Sequence, residues 1–257
     1  MKIVEAKWER RNFKCDAWEI TLEHSDMSDI DKTISALNAE CFAGSYVCIK
    51  IPVGNLRMLH ALEDDGFRFL ETQLSLMDRF NPDDAMKFPE NIASHVYFTT
   101  VERDDKEGWE RIIAKIVPEM FDTDRISLDP LLGPDIACER YRNWIRDLRN
   151  DPRSKMTLII ADSEPVAFSL DIIDGTTRHG VIGGTFPEFK NTGYGMFLIS
   201  GPCNREQEFG SKARTVVSSN NLKVLRAHQN CGKVIYKEMY VLRKFVPALD
   251  REKQQKS

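Results

Sequence analysis

Lys190, Gly193 and Gly195 form a K-x-x-G-x-G segment that stands between a β-rich run and the apolar residues 196–199. A helix that begins here leaves its first backbone N–H groups without partners, and such groups bind anions with the help of the helix dipole. The glycines allow the backbone to approach a phosphate closely. Lys190 adds a positive charge. The segment therefore predicts a phosphate or pyrophosphate site, although an ordinary glycine turn can have the same residues.

Better-known phosphate motifs do not describe this segment. The spacing differs from G-x-x-x-x-G-K-[ST], and the sequence contains no G-x-G-x-x-G. A nucleoside-triphosphatase or a dinucleotide-binding enzyme is therefore a poor interpretation of the glycines.

The elements that must position the segment are a strand meander before it and a strand, helix and strand after it. Asp174-Gly175 between two alternating runs is a strong hairpin signal. Hydrophobic periodicity predicts strands at 95–101, 156–161, 166–173, 180–186, 214–218 and 234–245, with helices at 106–117, 135–148 and 222–229.

The N-terminal part shows the same kind of alternation. Periodicity predicts helices at 29–41 and 56–62 and strands at 46–51 and 70–80. The next segment, 81–91, contains Pro82 and Pro89 and little periodicity, so we expect the domain boundary there. The predicted organisation is a first domain over 1–85, a second over 93–250 and a disordered polar tail over 251–257.

An internal repeat relates the two parts. The segment from Asn55 to Gly66 aligns without gaps on the segment from Asn221 to Gly232, at an offset of 166 residues. Five of the twelve positions are identical. Helices that end before a glycine are common, so a chance match is the alternative. The repeat favours two copies of one strand-helix-strand unit.

Composition and charge restrict the kinds of partner. The net charge is −4, so we expect no nucleic acid, which requires a basic face, and any phosphate must be held locally. No run reaches the length of a membrane span and the charged N-terminus is unlike a secretory signal, so we expect no membrane and a cytoplasmic location. The six scattered cysteines indicate reduced thiols, and a metal site is not expected, because only His228 and Cys231 have ligand spacing.

In combination, these motifs resemble those of the GCN5-related N-acetyltransferases (GNAT). That family has an acetyl-CoA motif Q/R-x-x-G-x-G/A and a second motif of Asn followed by Gly eleven residues later. Asn221 and Gly232 meet the second motif, and the first is met with Lys190 in place of Gln or Arg. The order of a three-strand meander, the glycine segment, a helix, a strand and a helix is also similar.

The resemblance implies an α+β fold with a mixed, mostly antiparallel central sheet and flanking helices. It also extends to a branch of that family. The segment 121–130 with Arg140, Tyr141 and Trp144 is similar to the substrate side of the sugar-nucleotide enzymes, for which the dTDP-fucosamine acetyltransferase group is the best example. The segment 62–73 looks like the N-terminal domain of that group, a truncated GNAT-like half. Tyr141 and Trp144 are equally expected as core residues of the helix at 135–148. Only the second repeat carries the glycine motif, so we expect one acetyl-CoA per chain.

The resemblance also implies roles for particular residues. The five backbone N–H groups of Asn191 to Gly195 would hold the pyrophosphate. The edge of the strand at 180–186 would pair with the pantetheine amides, and a strand N–H near Phe186 would polarise the acetyl carbonyl. The side chain of Asn221 would also reach the pantetheine arm. The residues implied to bind the cofactor are Thr185, Phe186, Lys190, Asn191, Thr192, Gly193, Tyr194, Gly195 and Asn221.

His228 is the candidate catalytic residue. Many members of the family protonate the leaving thiolate with a Tyr seven residues after the Asn, and this sequence has His228 at that position. A histidine that titrates near ~6.5 can donate a proton near neutral pH. The alternative is that His228 only packs on its helix. No residue is identified as a general base.

The implied function is acetyl transfer from acetyl-CoA to a primary amine of a small molecule, by a monomer or homodimer. A nucleotide-linked amino sugar is the first acceptor to consider. Alternatives are another amine, such as an amino acid, an antibiotic or a protein N-terminus. A further alternative is a non-catalytic module that binds or senses CoA.

Overall fold

The chain divides into two compact units, Met1–Gln73 with Glu238–Ser257, and Leu74–Lys237. The computed structural model describes residues 1–38, 42–79, 94–200 and 212–246. The predicted linker at 81–91 and the predicted tail at 251–257 lie outside the described residues. The predicted ranges were 1–85 and 93–250. The division in the structure instead falls between Gln73 and Leu74, inside a strand, and the residues from Glu238 onward belong to the first unit.

The first unit contains a mixed sheet with the strand order β1-β2-β3-β10-β4. The pairs β1–β2 and β3–β10 are antiparallel, and the pair β2–β3 is parallel. The strands are β1 (Lys2–Glu5), β2 (Asp16–Thr21), β3 (Ser45–Pro52), β4 (Arg68–Arg79) and β10 (Val234–Phe245), and the helices are α1 (Arg10–Phe13), α2 (Ile30–Leu37) and α3 (Leu56–Asp64). Short 3-10 turns lie at Lys7–Glu9 and His24–Met27. The core includes Ile49, Met58, Leu62 and Phe67, all almost fully buried.

The second unit has the strand order β4-β9-β8-β7-β6-β5, so β4 passes from one unit into the other. The pairs β5–β6, β6–β7 and β7–β8 are antiparallel, and β8–β9 is parallel. The strands are β5 (Val96–Val101), β6 (Ser154–Ala161), β7 (Glu164–Asp174), β8 (Thr177–Thr185) and β9 (Lys212–Ser218), and the helices are α4 (Lys106–Ala114), α5 (Arg125–Leu128), α6 (Gly133–Leu148), α7 (Gly195–Ser200) and α8 (Leu222–Asn230). The predicted mixed, mostly antiparallel α+β architecture is confirmed.

Local signals explain the main helices of this unit. The side chain of Asp105 accepts the N–H of Gly108 at 2.8 Å and so caps the start of α4. Trp109, Ile112 and Ile113 are buried on the predicted apolar side. The helix ends at Ala114 rather than at 117, since Pro118 follows closely and begins a 3-10 turn, Pro118–Phe121.

The predicted internal repeat is confirmed element by element. When 166 is added to the residue numbers of α3, they become those of α8. The same addition turns the residue numbers of β4 into those of β10. The residues before the two helices, Asn55 and Asn221, have φ/ψ of −90°/65° and −97°/65°. Gly66 and Gly232 then end the helices with positive φ angles of 93° and 78°. A glycine is required there because an L side chain disfavours that conformation.

Candidate functional site

The parallel pairing of β8 with β9 stops before either strand ends. The last partners are Gly180 and Thr215, although β8 continues to Thr185 and β9 to Ser218. Thr215 Oγ1 donates to the carbonyl of Gly180 at 3.1 Å, which marks the end of the ladder. We call the gap between residues 181–185 and residues 216–218 the wedge, and Gly180 and Thr215 its apex.

Backbone groups of β8 point into the wedge. The N–H of Phe186 donates to the carbonyl of Val166 on the β7 side at 2.9 Å. Hydrogen bonding alternates along an antiparallel pair, so Gly184 and Ile182 also bond to β7, while Gly183 and Thr185 direct their N–H and C=O groups away from it. The wedge therefore offers an unpaired strand edge to an extended, amide-containing ligand.

The N–H of Phe186 itself bonds to β7, so the strand N–H near Phe186 that would polarise the acetyl carbonyl has to belong to a neighbour such as Thr185, and this expectation stays a prediction. The ring of Phe186 is also fully buried in the core of the second unit. Thr185 does lie on the free edge. The register of β7 with β8 shifts between Leu170 and Asp171, which leaves Val181 as an extra residue of β8 at the start of the wedge. Such bulges redirect the backbone next to functional sites.

The glycine segment lies beyond the C-terminal end of β8, after a 3-10 turn at Pro187–Phe189. Asn191 and Gly193 have positive φ angles of 68° and 92°, and α7 begins at Gly195. A Cβ atom on Gly195 would stand only 3.1 Å from Thr185 Oγ1, so glycine at this position allows the close approach.

Four N–H groups of this segment are open to a ligand. Those of Asn191, Gly193, Tyr194 and Gly195 donate to no carbonyl in the described part of the chain. The N–H of Thr192 donates to Phe189 at 3.3 Å, so the predicted set of five donors is reduced to four. The segment therefore keeps four open backbone donors next to two residues with positive φ, the kind of arrangement that can bind phosphate.

Two predicted side chains of the segment have other contacts. The Lys190 ammonium lies 3.2 Å from Asp122 Oδ2 and 3.2 Å from the carbonyl of Glu119, so its charge is shared with an acidic partner. The Tyr194 ring packs edge-on against Phe189, with ring centroids 6.3 Å apart. Tyr194 would therefore contact a ligand through its backbone.

Helix α8 supplies the opposite side of the candidate site. Asn221 Oδ1 accepts the N–H of Val224 at 3.2 Å, and the Nδ2 group makes no hydrogen bond in the part of the chain that is described. Lys223 Nζ lies 3.4 Å from Asn191 Oδ1, so an exposed cation stands beside the glycine segment. The sequence analysis did not identify Lys223 as a candidate ligand-binding residue. The feature of the sequence that could have pointed to it is its position two residues after Asn221.

His228 lies in the last turn of α8 and is only 9% exposed. Burial lowers the pKa of His228 to about 3, and the charges of Lys233 and Arg178 act in the same direction. The expectation that this imidazole titrates near neutrality is therefore wrong. A neutral imidazole is too weak an acid to protonate a thiolate, so the role proposed for His228 as proton donor has no support in this structure.

The side chains expected on the acceptor side belong to the core. The Tyr141 ring stacks on Phe121 with centroids 3.8 Å apart, and its hydroxyl donates to Asp124 at 2.7 Å. Burial raises the pKa of Tyr141 well above its usual value. Trp144 packs against the same cluster. The packing alternative given for Tyr141 and Trp144 is confirmed.

The first unit does not repeat the wedge. Its corresponding parallel pair, β2 with β3, stays paired from Asp16 opposite Ser45 to Thr21 opposite Lys50, which is the whole of β2. The N–H of Leu22 then donates to the carbonyl of Lys50 at 2.9 Å. Of the two parallel pairs compared among the described residues, β8 with β9 in the second unit is therefore the one that separates into a wedge.

Neither a metal site nor a membrane span is found in the described ranges. They contain no group of three or more His, Cys, Asp or Glu side chains that could hold a metal ion. Their helices are all too short or too polar to cross a bilayer.

Comparison with known proteins gives matches in structure. The sequence matches no protein-family model and no curated protein. A GCN5-related N-acetyltransferase from Sphaerobacter thermophilus is similar with a TM-score of 0.56 and 15% identity, over 86% of this chain and 67% of that chain. A GCN5-related N-acetyltransferase from Kribbella flavida has a TM-score of 0.52 and 14% identity, over 89% and 81%.

A tandem GNAT protein from the clavulanic acid biosynthesis pathway is similar as well, with a TM-score of 0.51 and 10% identity, over 80% of this chain and 65% of that chain. At such low identities the likeness concerns the fold alone. The chain therefore has the fold of the GCN5-related N-acetyltransferases.

Proposed function

We propose that the protein is an acetyl-CoA-dependent N-acetyltransferase that acts on the primary amine of a small molecule. The observation that carries this proposal is the wedge, in a chain with the fold of this family. An unpaired strand edge at Gly183 and Thr185 leads toward four open N–H groups at residues 191–195. This arrangement suits an extended arm with amide groups at one end and a pyrophosphate at the other.

The pyrophosphate and the pantetheine arm of acetyl-CoA each have a matching group in the site. The N–H groups of the glycine segment would hold the pyrophosphate, with Lys223 as the nearby cation. The edge of β8 would pair with the pantetheine amides, and Asn221 Nδ2 would donate to the same arm. The amine must reach the thioester as the neutral base, since an ammonium ion has no lone pair to attack with.

The proposal names a class of acceptor, a primary amine, and the compound itself is to be found by a screen. A nucleotide-linked amino sugar is the first compound to test, because the sequence is similar to that branch. The aromatic side chains that would face such an acceptor are core residues in this structure, so amino acids, antibiotic amines and peptide N-termini belong in the same screen.

The first experiment measures binding. Acetyl-CoA at millimolar concentration should raise the melting temperature, and ATP should not, because a ligand that binds only the native state stabilises it by mass action. Asn221→Ala should reduce the shift. Asn55→Ala changes the equivalent residue of the first repeat, has no place in the site, and should leave the shift unchanged. An absence of any shift with acetyl-CoA would contradict the proposal.

The second experiment measures turnover. Release of the CoA thiol is followed with acetyl-CoA and each amine of the screen, and the acetylated product is identified by mass spectrometry. A second candidate function, a CoA-binding module without catalysis, is favoured by the low pKa of His228 at the position of the usual acid. Binding of acetyl-CoA with no turnover on any amine would support that second function.

A further inference from the structure

Strand β9 has a buried face and an exposed face beside the apex of the wedge. Ala213 and Val217 are buried, and α8 packs against this strand. Lys212, Arg214 and Val216 alternate with them and are exposed, so they lie on the opposite face of the sheet. We call the face of β9 that carries Lys212, Arg214 and Val216 the Arg214 face.

The internal repeat shows that the fold can close this face. At the offset of 166 residues, β9 corresponds to β3 of the first unit, and Arg214 corresponds to Cys48. Cys48 is only 3% exposed, and so is Tyr46, which lies two residues before it on the same face of β3. Exposure of the Arg214 face is therefore a feature of the second unit, the unit that has the wedge, and the fold alone does not account for it.

Arg214 is a cation without an acidic partner on this face. Its Cζ atom lies 5.8 Å from the centre of the Tyr236 ring, and within the described ranges the guanidinium makes neither an ion pair nor a hydrogen bond. Tyr236 is itself 47% exposed. The ring holds the guanidinium by a cation–π contact and leaves its N–H groups available, and a guanidinium binds carboxylate or phosphate through two parallel hydrogen bonds.

The neighbours of Arg214 also favour an anion. His179 of β8 is the partner of Arg214 in the parallel ladder, so its side chain lies on the same face, and its imidazole makes no hydrogen bond in the part of the chain that is described. A neutral imidazole still has one N–H donor. On the β8 side, the ladder places a carboxylate, Asp174, opposite Thr177 and thus two strands away from β9.

The thioester of acetyl-CoA would lie next to the Arg214 face. Gly195 and Thr185 approach each other closely, so an arm that leaves the glycine segment joins the edge of β8 beside Thr185. Between its phosphate oxygen and its sulfur, the pantetheine arm has about as many bonds as four residues of backbone. An arm that follows β8 backwards from Thr185 therefore brings its thioester near residues 181–183, beside the apex.

The acceptor amine has one face of the wedge from which to approach. Helices α7 and α8 contact each other and pack against β8 and β9, so they cover one face of the sheet there. Val216, on the other face and directly after the apex residue Thr215, is 52% exposed. An amine that attacks the thioester from that side has Val216 below it and Arg214 within a few bonds of it.

We propose that the acceptor binds on the Arg214 face and carries an anionic group, a carboxylate or a phosphate, which Arg214 holds beside the apex of the wedge. The proposal rests on the proposed function, because it needs the thioester in the wedge. It narrows the acceptor from any primary amine to one with an anionic group a few bonds from the nitrogen.

The test uses conjugates that join CoA to an amine, so that binding is measured without turnover. The CoA sulfur is linked through –CH2–CO–NH– to glycine, to O-phosphoethanolamine, or to their neutral counterparts glycinamide and ethanolamine. Titration calorimetry at pH 7 should show that at least one anionic conjugate binds about tenfold more tightly than its neutral counterpart. The pair with the larger ratio shows whether the group is a carboxylate or a phosphate.

Variants connect the preference to the Arg214 face. In Arg214→Gln the ratio of affinities should fall to about one, since the charge is lost and the neutral conjugates are unaffected. Tyr236→Leu installs the residue that the first unit has at this position, Leu70, and should lower the ratio in part. Arg103→Gln removes an exposed arginine after β5, at the far edge of the sheet, and should keep the full ratio. Thermal melting checks that each variant is folded.

The outcomes separate this inference from the proposed function. Equal affinities of the anionic and neutral conjugates in the natural sequence would overturn the inference and leave the proposed function standing. An unchanged ratio in Arg214→Gln would overturn it too, as would an equal loss of affinity for all four conjugates, which would place Arg214 against CoA itself. No binding of CoA, acetyl-CoA or any conjugate would overturn both.

Discussion

Arg178 and Asp171 form an ion pair with 2.8 Å between Nη1 and Oδ1, and the two side chains are only 8% and 1% exposed. Burial raises the pKa of Asp171, and the charge of Arg178 opposes that shift. Removing one partner leaves an uncompensated charge in the interior, whereas removing both leaves none.

Arg178→Met is therefore expected to lower the free energy of unfolding by about 3–5 kcal/mol at pH 7. Arg178→Met with Asp171→Leu should recover most of that loss. In the single variant, the pKa of Asp171 in the folded state rises further above its unfolded value, so the loss should be smaller at pH 4 than at pH 7. Urea denaturation of the three proteins measures these differences. A single-variant effect below about 1 kcal/mol would contradict the account.

His228→Leu should make the protein less sensitive to acid. The folded pKa of about 3 lies below the ordinary value of 6.5, so the unfolded state takes up a proton first as the pH falls. Stability is therefore complete above pH 6.5 and is lost between 6.5 and 3, by up to about 1.4 kcal/mol per pH unit. Chemical denaturation from pH 7 to pH 4 should show a shallower loss for His228→Leu. His60→Leu, which alters an exposed side chain of the first unit, is the control, and equal slopes for all three proteins would refute the prediction.

Gly193→Ala should weaken acetyl-CoA binding. Gly193 has a φ of 92°, and a Cβ atom there meets nothing within 4 Å, so the substitution strains the backbone without a clash. The strain costs about 1 kcal/mol and displaces the N–H donors of the segment. Gly175→Ala strains a similar glycine with a φ of 57° in the β7–β8 turn. Both should melt at a lower temperature, but only Gly193→Ala should lose affinity in calorimetry, and comparable losses of affinity would count against a phosphate site at residues 191–195.

Lys223→Met should reduce the affinity for acetyl-CoA more than Lys190→Met. The Lys190 ammonium is held by Asp122 and the carbonyl of Glu119, whereas Lys223 stands beside Asn191. Each exposed charge contributes about 0.2–1 kcal/mol, so we expect an effect of about 1.4- to fivefold for Lys223 that fades at high salt. Calorimetry at low and high salt measures the loss of affinity in both variants. A larger loss in Lys190→Met would show that Lys190, and not Lys223, is the main cation beside the phosphate.

Local signals made the repeated unit predictable. Asn55 and Asn221 before the helices and Gly66 and Gly232 after them act within a few residues of the chain, so sequence spacing alone locates both ends. The meander was predictable for the same reason, since alternation and the Asp174-Gly175 turn are local. The unit division was not, because the pairing of β10 with β3 joins residues far apart in sequence.

The chemistry of the site depends on distant contacts and was predicted less well. Asp122 neutralises part of the Lys190 charge from 68 residues away. The low pKa of His228 depends on burial and on Arg178, which lies on another element. The open edge of the wedge exists because the pairing of β8 with β9 stops at Gly180 and Thr215. The hydrophobic periodicity of β8 or β9 does not show where hydrogen bonding to a neighbouring strand stops.

The return of β10 to the first unit affects the order in which the chain is made. Met239 to Phe245 pair with Pro52 to Tyr46, so β3 lacks this neighbour until nearly the whole described chain has left the ribosome. During synthesis the first unit carries an open edge on a hydrophobic strand, which is a template for pairing with other chains. The nascent first unit is thus exposed to misassociation from the synthesis of β3 until that of β10.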